Sequence, residues 1–194
     1  MNLSANPPTR RSVGGHRPAA GFTLVEMVIT LLILGILVAV GLPTFSDATL
    51  GSRLSSTANN LVVSFYLARS EAIKRNTIVR VCPSTDGNTC ASAASWQTGW
   101  IVMAPYASGT SDDVIIQRQS AVSGNVSVLH KNAALTSALT SAVDMPPSGI
   151  RSGGSDEAFL VCRGESDVGK QERVVSVSAT GRPSVKRTQT GTCS

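Results

Sequence analysis

The N-terminal part of the chain contains a long apolar run. From Phe22 to Leu42 there are 21 residues, and Glu26 is the only charged one. A helix rises about 1.5 Å per residue, so a helix of this length measures roughly 30 Å, which is the thickness of the hydrocarbon core of a bilayer. The run therefore predicts a helix that spans a membrane.

After this run the hydrophobic pattern becomes one-sided. Apolar residues recur at steps of three and four, which places them on one face of a helix. They are Leu50, Leu54, Ala58, Leu61, Phe65, Ala68 and Ala72. We therefore expect one helix from Phe22 to about Arg75, apolar all round in its first half and amphipathic in its second, with Asn76 as its stop. Pro43 removes a backbone donor and predicts a kink between the halves.

The rest of the chain alternates between short strand patterns and turn-forming sequence. Strands rich in β-branched or aromatic residues are predicted over Thr77–Cys82, Trp96–Met103, Val114–Arg118, Val126–His130, Ala158–Cys162 and Arg173–Ala179. Residues 131–154 are rich in Ala, Ser, Thr and Pro and give no clear pattern. Short strands with hairpin-length gaps predict an antiparallel sheet packed on the long helix, which is the α+β class.

The charge distribution is uneven along the chain. The formal net charge is +5, but Arg10, Arg11 and Arg17 precede the apolar run in a segment without acids. Positive charge ahead of a spanning helix keeps that end in the cytoplasm, so we expect the remainder to be exported. The C-terminal tail, residues 168–194, contains five cationic side chains and one acidic side chain. The basic character therefore belongs to the tail rather than to the whole domain.

Two simpler interpretations of the N-terminus explain it less well. A basic start and an apolar run are typical of a secretory signal peptide, but this run is too long and no Ala-x-Ala cleavage pattern follows it. A plain membrane anchor leaves Glu26 unexplained, because a carboxylate inside a spanning helix is unfavourable unless it is paired. Cleavage between Gly21 and Phe22 would create an α-amino group about one helical turn from Glu26.

The hexapeptide Gly21–Glu26, with the sequence GFTLVE, resembles the class III signal of type IV prepilins and type II secretion pseudopilins. The resemblance implies that a prepilin peptidase cleaves between Gly21 and Phe22 and N-methylates Phe22, while the helix is kept as the core of a filament. Pro43 lies where pilins often carry a proline. Glu26 would form an ion pair with the N-terminal amine of a neighbouring subunit. Such a pair fixes the axial register, since an unmatched buried charge is disfavoured.

This resemblance also implies the domain organisation and the location. A prepilin leader would occupy residues 1–21, a transmembrane and filament-core helix residues 22–43, and a periplasmic pilin-like domain residues 44–194. That domain includes the amphipathic helix to about residue 75. The protein would cross the inner membrane once, with its C-terminal domain in the periplasm, until it enters a pilus or pseudopilus. Its expected partners are other pilins or pseudopilins, the prepilin peptidase and the inner-membrane assembly platform.

Three further segments, Ala68–Ile73, Trp96–Trp100 and Ala179–Pro183, resemble the GspH/FimT family within the pilin superfamily. The resemblance implies a non-enzymatic minor pilin, similar to FimT and FimU, that helps to initiate or cap a type IV pilus. An H-type minor pseudopilin of the type II protein secretion system uses the same signal and helix. Both interpretations therefore stay open at the level of the sequence.

All four cysteines follow the apolar run: Cys82, Cys90, Cys162 and Cys193. An even number on the exported side favours disulfides, and three pairings are open. We prefer Cys82 with Cys90, which closes a short loop rich in turn formers, and Cys162 with Cys193, which ties the tail to the domain. Structural zinc is the rival explanation, but it usually requires close Cys-x-x-Cys pairs or several histidines.

The sequence lacks an arrangement typical of an enzyme, and no phosphate-binding loop precedes a helix. His130 is the one histidine left after the expected processing, and we expect it at the surface where a strand ends. Three groups of acids, Asp112–Asp113, Asp156–Glu157 and Glu165–Asp167, fall in loop-like sequence and should be solvated. We therefore predict no catalytic residue, no cofactor and no metal site.

The basic tail is a candidate for nucleic-acid binding. Gly181–Arg187 would present Arg182, Lys186 and Arg187 on a small loop. Some FimT-like pilins that this region resembles bind DNA through a Gly-Arg-x-Arg motif, although Ser184 stands here at the second arginine. The three cations could contact phosphates without reading sequence, and such binding would weaken steeply with salt. A pilus-associated receptor for DNA uptake is therefore a further alternative.

Overall fold

The computed structural model describes residues 21–91, 95–104, 114–139, 142–151, 155–163 and 172–188, apart from the side chains of residues 40–47. The chain divides into two compact units between Thr44 and Phe45. The first unit contributes the N-terminal part of a long helix. The second contains the rest of that helix and every strand that the structure describes.

The long helix, α1 (Leu24–Arg75), has clear signals at both ends. It begins after Thr23, whose hydroxyl accepts a hydrogen bond from the backbone N–H of Glu26 at 3.2 Å, as expected for a residue that caps a helix N-terminus. It ends at Asn76, which adopts a left-handed conformation with φ of 50° that is common just after a helix. The predicted helix and its stop are confirmed.

In the described part of the chain, eight strands follow α1 in two antiparallel sheets. They are β1 (Val79–Pro83), β2 (Trp100–Ala104), β3 (Val114–Gln119), β4 (Val126–Asn132), β5 (Val143–Met145), β6 (Glu157–Arg163), β7 (Glu172–Val177) and β8 (Pro183–Thr188). The first sheet has the order β3-β2-β1-β5 and the second the order β4-β6-β7-β8. The predicted α+β class, a long N-terminal helix on antiparallel strands, is confirmed, and the strands are shared between two sheets rather than one.

Three strand predictions need correction. The strand expected over Trp96–Met103 begins only at Trp100, because Trp96–Thr98 forms a 3-10 turn that ends at Gly99 with φ of 108°. The segment without a clear pattern contains β5, which pairs with β1. The last strand, β8, lies where we expected a loop.

The amphipathic half of α1 supplies one side of the core, as its spacing predicts. Leu54, Ala58, Leu61, Phe65, Ala68 and Ala72 are completely buried, and Leu50 packs at the margin. One face of each sheet contributes the rest, including Val79, Val81, Trp100, Val102, Val128, Phe159, Val161, Val175 and Val177. The buried indole of Trp100 donates to the hydroxyl of Ser64 at 2.9 Å, so its polar atom is satisfied inside this core.

Phe65 lies at the centre of the contact between α1 and the strands. Its ring centroid lies 5.0 Å from that of Phe159 in β6 and 6.5 Å from that of Trp96 before β2. Tilted aromatic pairs at these distances add to the stabilisation that comes from burying their area. The helix is thus joined to both sheets through one aromatic cluster.

Within the described ranges, the first half of α1 has no such cover. Its large apolar side chains from Leu24 to Val38 are all exposed. Among the described residues, no helix is both long enough and apolar enough to cross a bilayer. The membrane-spanning segment expected over residues 22–42 therefore stays a prediction.

Candidate functional site

The predicted processing site lies outside the helix. Gly21, Phe22 and Thr23 precede α1 and are exposed, and the side chain of Phe22 is 78% exposed. Glu26 follows in the first helical turn and is exposed as well. A carboxylate at this position is favourable next to the positive end of the helix dipole. Cleavage before Phe22 would add an ammonium group about one turn away, in reach of Glu26 or of its counterpart on a neighbour.

The helix surface that follows this site is predominantly apolar. Thirteen large hydrophobic residues are exposed here: Phe22, Leu24, Val25, Met27, Val28, Ile29, Leu31, Leu32, Ile33, Leu34, Ile36, Leu37 and Val38. A patch of this extent exceeds what soluble monomers normally present to water and is typical of a protein or membrane contact. The first half of α1 is therefore a candidate assembly surface.

Pro43 was expected to kink the helix at the end of this surface. The helical assignment continues through Pro43, while its side chain lies outside the described residues. Its role in assembly and the kink itself both stay predictions.

The predicted disulfide between Cys82 and Cys90 is confirmed. The loop that it closes is organised around Asp86, whose carboxylate accepts hydrogen bonds from the backbone N–H groups of Asn88 at 2.8 Å and Thr89 at 2.9 Å. These bonds hold the pKa of Asp86 well below its ordinary range. The guanidinium of Arg118, in β3, donates to the carbonyl of Gly87 at 2.8 Å. The loop is therefore fixed both by its own bonds and to a neighbouring strand.

The second disulfide prediction concerns Cys162 and Cys193. Cys162, in β6, is buried and disulfide-bonded. Cys193 lies outside the described residues, so its pairing with Cys162 stays a prediction.

His130 is not at the surface, and that prediction was wrong. Strand β4 continues to Asn132, which places His130 in the strand interior on the same buried face as Val126 and Val128. Its ring stacks on the ring of Phe159, with centroids 4.3 Å apart. The residue is only 3% exposed. The period-two alternation of Val126, Val128 and His130 was the signal that could have shown its burial.

Glu157 was expected to be a solvated charge in a loop, and that prediction was also wrong. It begins β6, and one carboxylate oxygen lies 2.8 Å from Nε2 of His130 while the other contacts the guanidinium of Arg151. Burial raises its pKa, but the hydrogen bond from His130 and the positive charge of Arg151 outweigh this, and the pKa of Glu157 is lowered. Arg151 lies in the segment whose sequence gave no pattern, so its role could not be anticipated.

These three residues connect parts of the second sheet. Arg151 is 6% exposed and donates to the carbonyl oxygens of Ser155 at 3.1 Å and Val177 at 3.4 Å. Together with the contacts of His130 and Glu157, it joins β4, β6, β7 and the segment after β5. The group acts as a buried electrostatic clamp, which we call the Glu157 clamp.

Of the other acids expected to be solvated, Asp156 accepts a hydrogen bond from the backbone N–H of Ala179 at 2.7 Å. Asp112–Asp113 and Glu165–Asp167 lie outside the described residues. No group of three or more metal-ligating side chains with suitable geometry occurs in the described ranges.

Within the basic tail, Pro183–Thr188 forms a strand, whereas we predicted a loop over Gly181–Arg187. A turn from Ser178 to Arg182, with Gly181 at φ of 68°, leads into β8, which pairs with β7 along its whole length. Side chains alternate across a strand, so the exposed Lys186 and Arg187 lie on opposite faces of β8. Strand β8 begins with Pro183 and contains Lys186 and Arg187, which makes it hard to recognise as a strand from the sequence. Proline and cationic residues are nevertheless typical of a strand at the edge of a sheet.

Comparisons with known proteins agree with this architecture. The chain matches the family model described as type II transport protein GspH over residues 57–181 and the prokaryotic N-terminal methylation motif over residues 16–42. A fimbrial protein of Neisseria meningitidis is 38% identical over 72 residues, which is 34% of this chain and 42% of that protein. The matched region thus spans less than half of that relative.

Two solved structures share the fold. The minor pilin FimU of Pseudomonas aeruginosa matches with a TM-score of 0.52 and 20% identity over 70% of this chain and 89% of FimU. The minor pseudopilin EpsH of the type 2 secretion system of Vibrio cholerae matches with a TM-score of 0.50 and 10% identity over 70% of this chain and 97% of EpsH. The GspH model covers well over half of the chain, and the protein therefore belongs to the GspH family of pilins and pseudopilins.

Proposed function

We propose that this protein is a minor pilin, a non-enzymatic subunit that helps to initiate or cap a type IV pilus. The observation that carries the proposal is the exposed apolar surface from Phe22 to Val38, which directly follows the expected processing site. A surface of this kind is unfavourable in water and needs lipid or protein around it. The methylation motif over residues 16–42 supports the same interpretation.

The proposed sequence of events begins in the inner membrane. Residues 22–42 anchor the chain, and the domain that follows lies in the periplasm. A prepilin peptidase removes residues 1–21 and methylates Phe22. The assembly platform then transfers the helix from lipid into a filament, where it contacts other pilins.

Glu26 is proposed to set the position of the subunit in the filament. As the helix leaves the membrane, its carboxylate would pair with the N-terminal ammonium of a neighbouring subunit. A misplaced subunit would leave both charges buried without a partner, which costs several kcal/mol. The exposure of Glu26 in the first turn of α1 is compatible with a contact between chains.

A substitution at Glu26 tests this role. In Glu26→Ala, insertion and cleavage should persist, while the protein is depleted from pili sheared off the cell. Glu71→Ala provides a matched control, because Glu71 lies on the same helix and pairs only locally with Lys74 and Arg75 among the described residues. Immunoblots of the membrane and pilus fractions measure both variants. Normal incorporation of Glu26→Ala would refute the register role.

The alternative within the family is a minor pseudopilin of type II secretion. The fold shared with EpsH supports it. A deletion strain separates the two systems, since a pilus subunit should be required for twitching motility and a pseudopilin for export of secreted enzymes. We expect loss of twitching with secretion retained, and the opposite result would assign the protein to secretion.

The second alternative is DNA binding by the basic edge of the second sheet. Arg182, Lys186 and Arg187 are all exposed on or next to β8, so phosphates could reach them. Full-length protein in detergent should retard a DNA duplex in a gel at low salt and lose this binding as salt rises. If Arg182/Lys186/Arg187→Ala retards the duplex equally well, these residues do not bind DNA.

A further inference from the structure

Two arginines face each other across the last two strands. In the pairing of β7 with β8, Arg173 is directly opposite Arg187, so their side chains lie on the same face of the sheet. Val175 and Val177 of β7 share this face and belong to the core. The two arginines therefore lie on the side of the sheet that packs on α1, at the end of the strands away from the Gly181 turn.

Arg173 is held in place by α1. It is 7% exposed, and its guanidinium donates to the hydroxyl of Ser55 at 3.2 Å and to the backbone carbonyl of Glu172 at 3.1 Å. A guanidinium has more N–H donors than these two acceptors use. Arg187, in contrast, is exposed at the sheet edge. One arginine is thus fixed with unused donors, and the other is open to solvent.

The charge of this pair is not balanced in the part of the chain that the structure describes. None of the ion pairs found there involves Arg173 or Arg187. Burial lowers the pKa of Arg173, and the positive charge of Arg187 lowers it further. Like charges directly opposite each other destabilise a sheet.

The Glu157 clamp shows how the same sheet treats another buried arginine. Arg151 is as buried as Arg173, but Glu157 contacts it and balances its charge. The contrast indicates that, among the described residues, Arg173 and Arg187 have no anionic partner of the kind that Glu157 provides to Arg151.

We propose that Arg173 and Arg187 form a binding site for a phosphate group. A carboxylate would neutralise only one of two guanidinium groups, whereas a phosphate carries about −1.5 to −2 charges at neutral pH and has enough oxygens to bridge both. Arg173 provides the fixed half of the site and Arg187 closes it from the solvent side. The ligand is free phosphate or a phosphate group of a larger molecule, such as a nucleic acid.

Thermal unfolding of the full-length protein in detergent tests the site. In phosphate-free buffer at constant ionic strength, added inorganic phosphate should raise the Tm saturably by a few degrees, because a ligand that binds only the folded state stabilises it. In Arg187→Gln this rise should disappear, with affinity reduced about tenfold or more. The same variant should have a higher Tm than the wild type without phosphate, since the like-charge contact is gone.

Lys74→Gln is the control, because it removes one exposed positive charge on α1, outside β8. It should keep the phosphate response of the wild type. An identical response of the two variants, or no saturable response of the wild type, would overturn the proposal.

A short DNA duplex replaces inorganic phosphate in a parallel series. Stabilisation that depends on Arg187 in both series identifies nucleic acid as a source of the phosphate, and stabilisation by inorganic phosphate alone identifies the free ion. The pilus proposal would survive failure here, because it depends on the first half of α1.

Discussion

The two halves of α1 contain similar apolar residues but meet different surroundings. In the second half, Leu54 and Phe65 are completely buried by the sheets, whereas in the first half Leu32 and its neighbours are exposed. Among the described residues, the strands bury the apolar side chains of the second half and leave those of the first half exposed. We therefore expect the first half to depend on lipid or protein around it, whereas the second half depends on the fold.

The largest expected effect comes from removing a large side chain from the buried half. Phe65→Ala should destabilise the domain by about 3–5 kcal/mol, because it leaves a cavity in the aromatic cluster. Leu32→Ala, in the exposed half, should change the free energy of unfolding by less than about 0.5 kcal/mol. Denaturant unfolding in detergent measures both. A large loss of stability in Leu32→Ala would mean that the chain itself covers the first half.

A smaller effect should follow from opening the loop between β1 and the Trp96 turn. The double variant Cys82→Ser/Cys90→Ser should lose about 2–3 kcal/mol, the value expected for a closed loop of this length. Denaturant unfolding of the sheet domain should show this loss of stability, while the amount of protein in the membrane fraction should stay unchanged. Unchanged unfolding would show that the bonds around Asp86 alone hold the loop.

The smallest effect should be the pH dependence that comes from the Glu157 clamp. The pKa of Glu157 in the folded state lies below its ordinary value of 4.5, so the unfolded chain binds its proton first as the pH falls. Its stabilising contribution is therefore complete above about pH 5 and is lost as the pH drops through the folded value. The groups that face it are the imidazole of His130 and the guanidinium of Arg151.

Thermal unfolding between pH 7 and pH 3 measures this contribution. Glu157→Gln should lose a few degrees of Tm at pH 7 and progressively less as the pH falls through the folded-state pKa of the wild-type carboxyl. Asp86→Asn should give a separate pH-dependent loss of Tm, because the pKa of Asp86 is also lowered, and this loss would come from the disulfide loop and not from the Glu157 clamp. A Tm difference between wild type and Glu157→Gln that stays constant with pH would argue against the clamp.

Local patterns were sufficient to predict α1 but not the contacts of the strands. The spacing of Leu54, Phe65 and Ala72 and the stop at Asn76 depend on neighbours within the helix, and all were correct. Glu157 contacts His130, which is 27 residues away in sequence, and Arg151, which lies in a segment without periodicity. A sequence pattern carries no information on such a partner.

The tail shows a second limit of the same kind. The cations at Lys186 and Arg187 were evident in sequence, but their placement on opposite faces required the pairing of β8 with β7. The position of Arg173 opposite Arg187 follows from that register alone. The composition therefore identified a basic region. The strand pairing was needed to show that Lys186 lies on one face of the sheet and Arg187 on the other.

Mass spectrometry of the intact protein, purified from pili or from inner membranes, tests the pilin assignment most directly. The mature chain should begin at Phe22, carry one additional methyl group on its α-amine and retain the whole of α1. A chain that begins at any other residue would contradict the proposed processing. The exposed half of α1 would then be part of an ordinary membrane anchor or secreted domain and not the core of a filament.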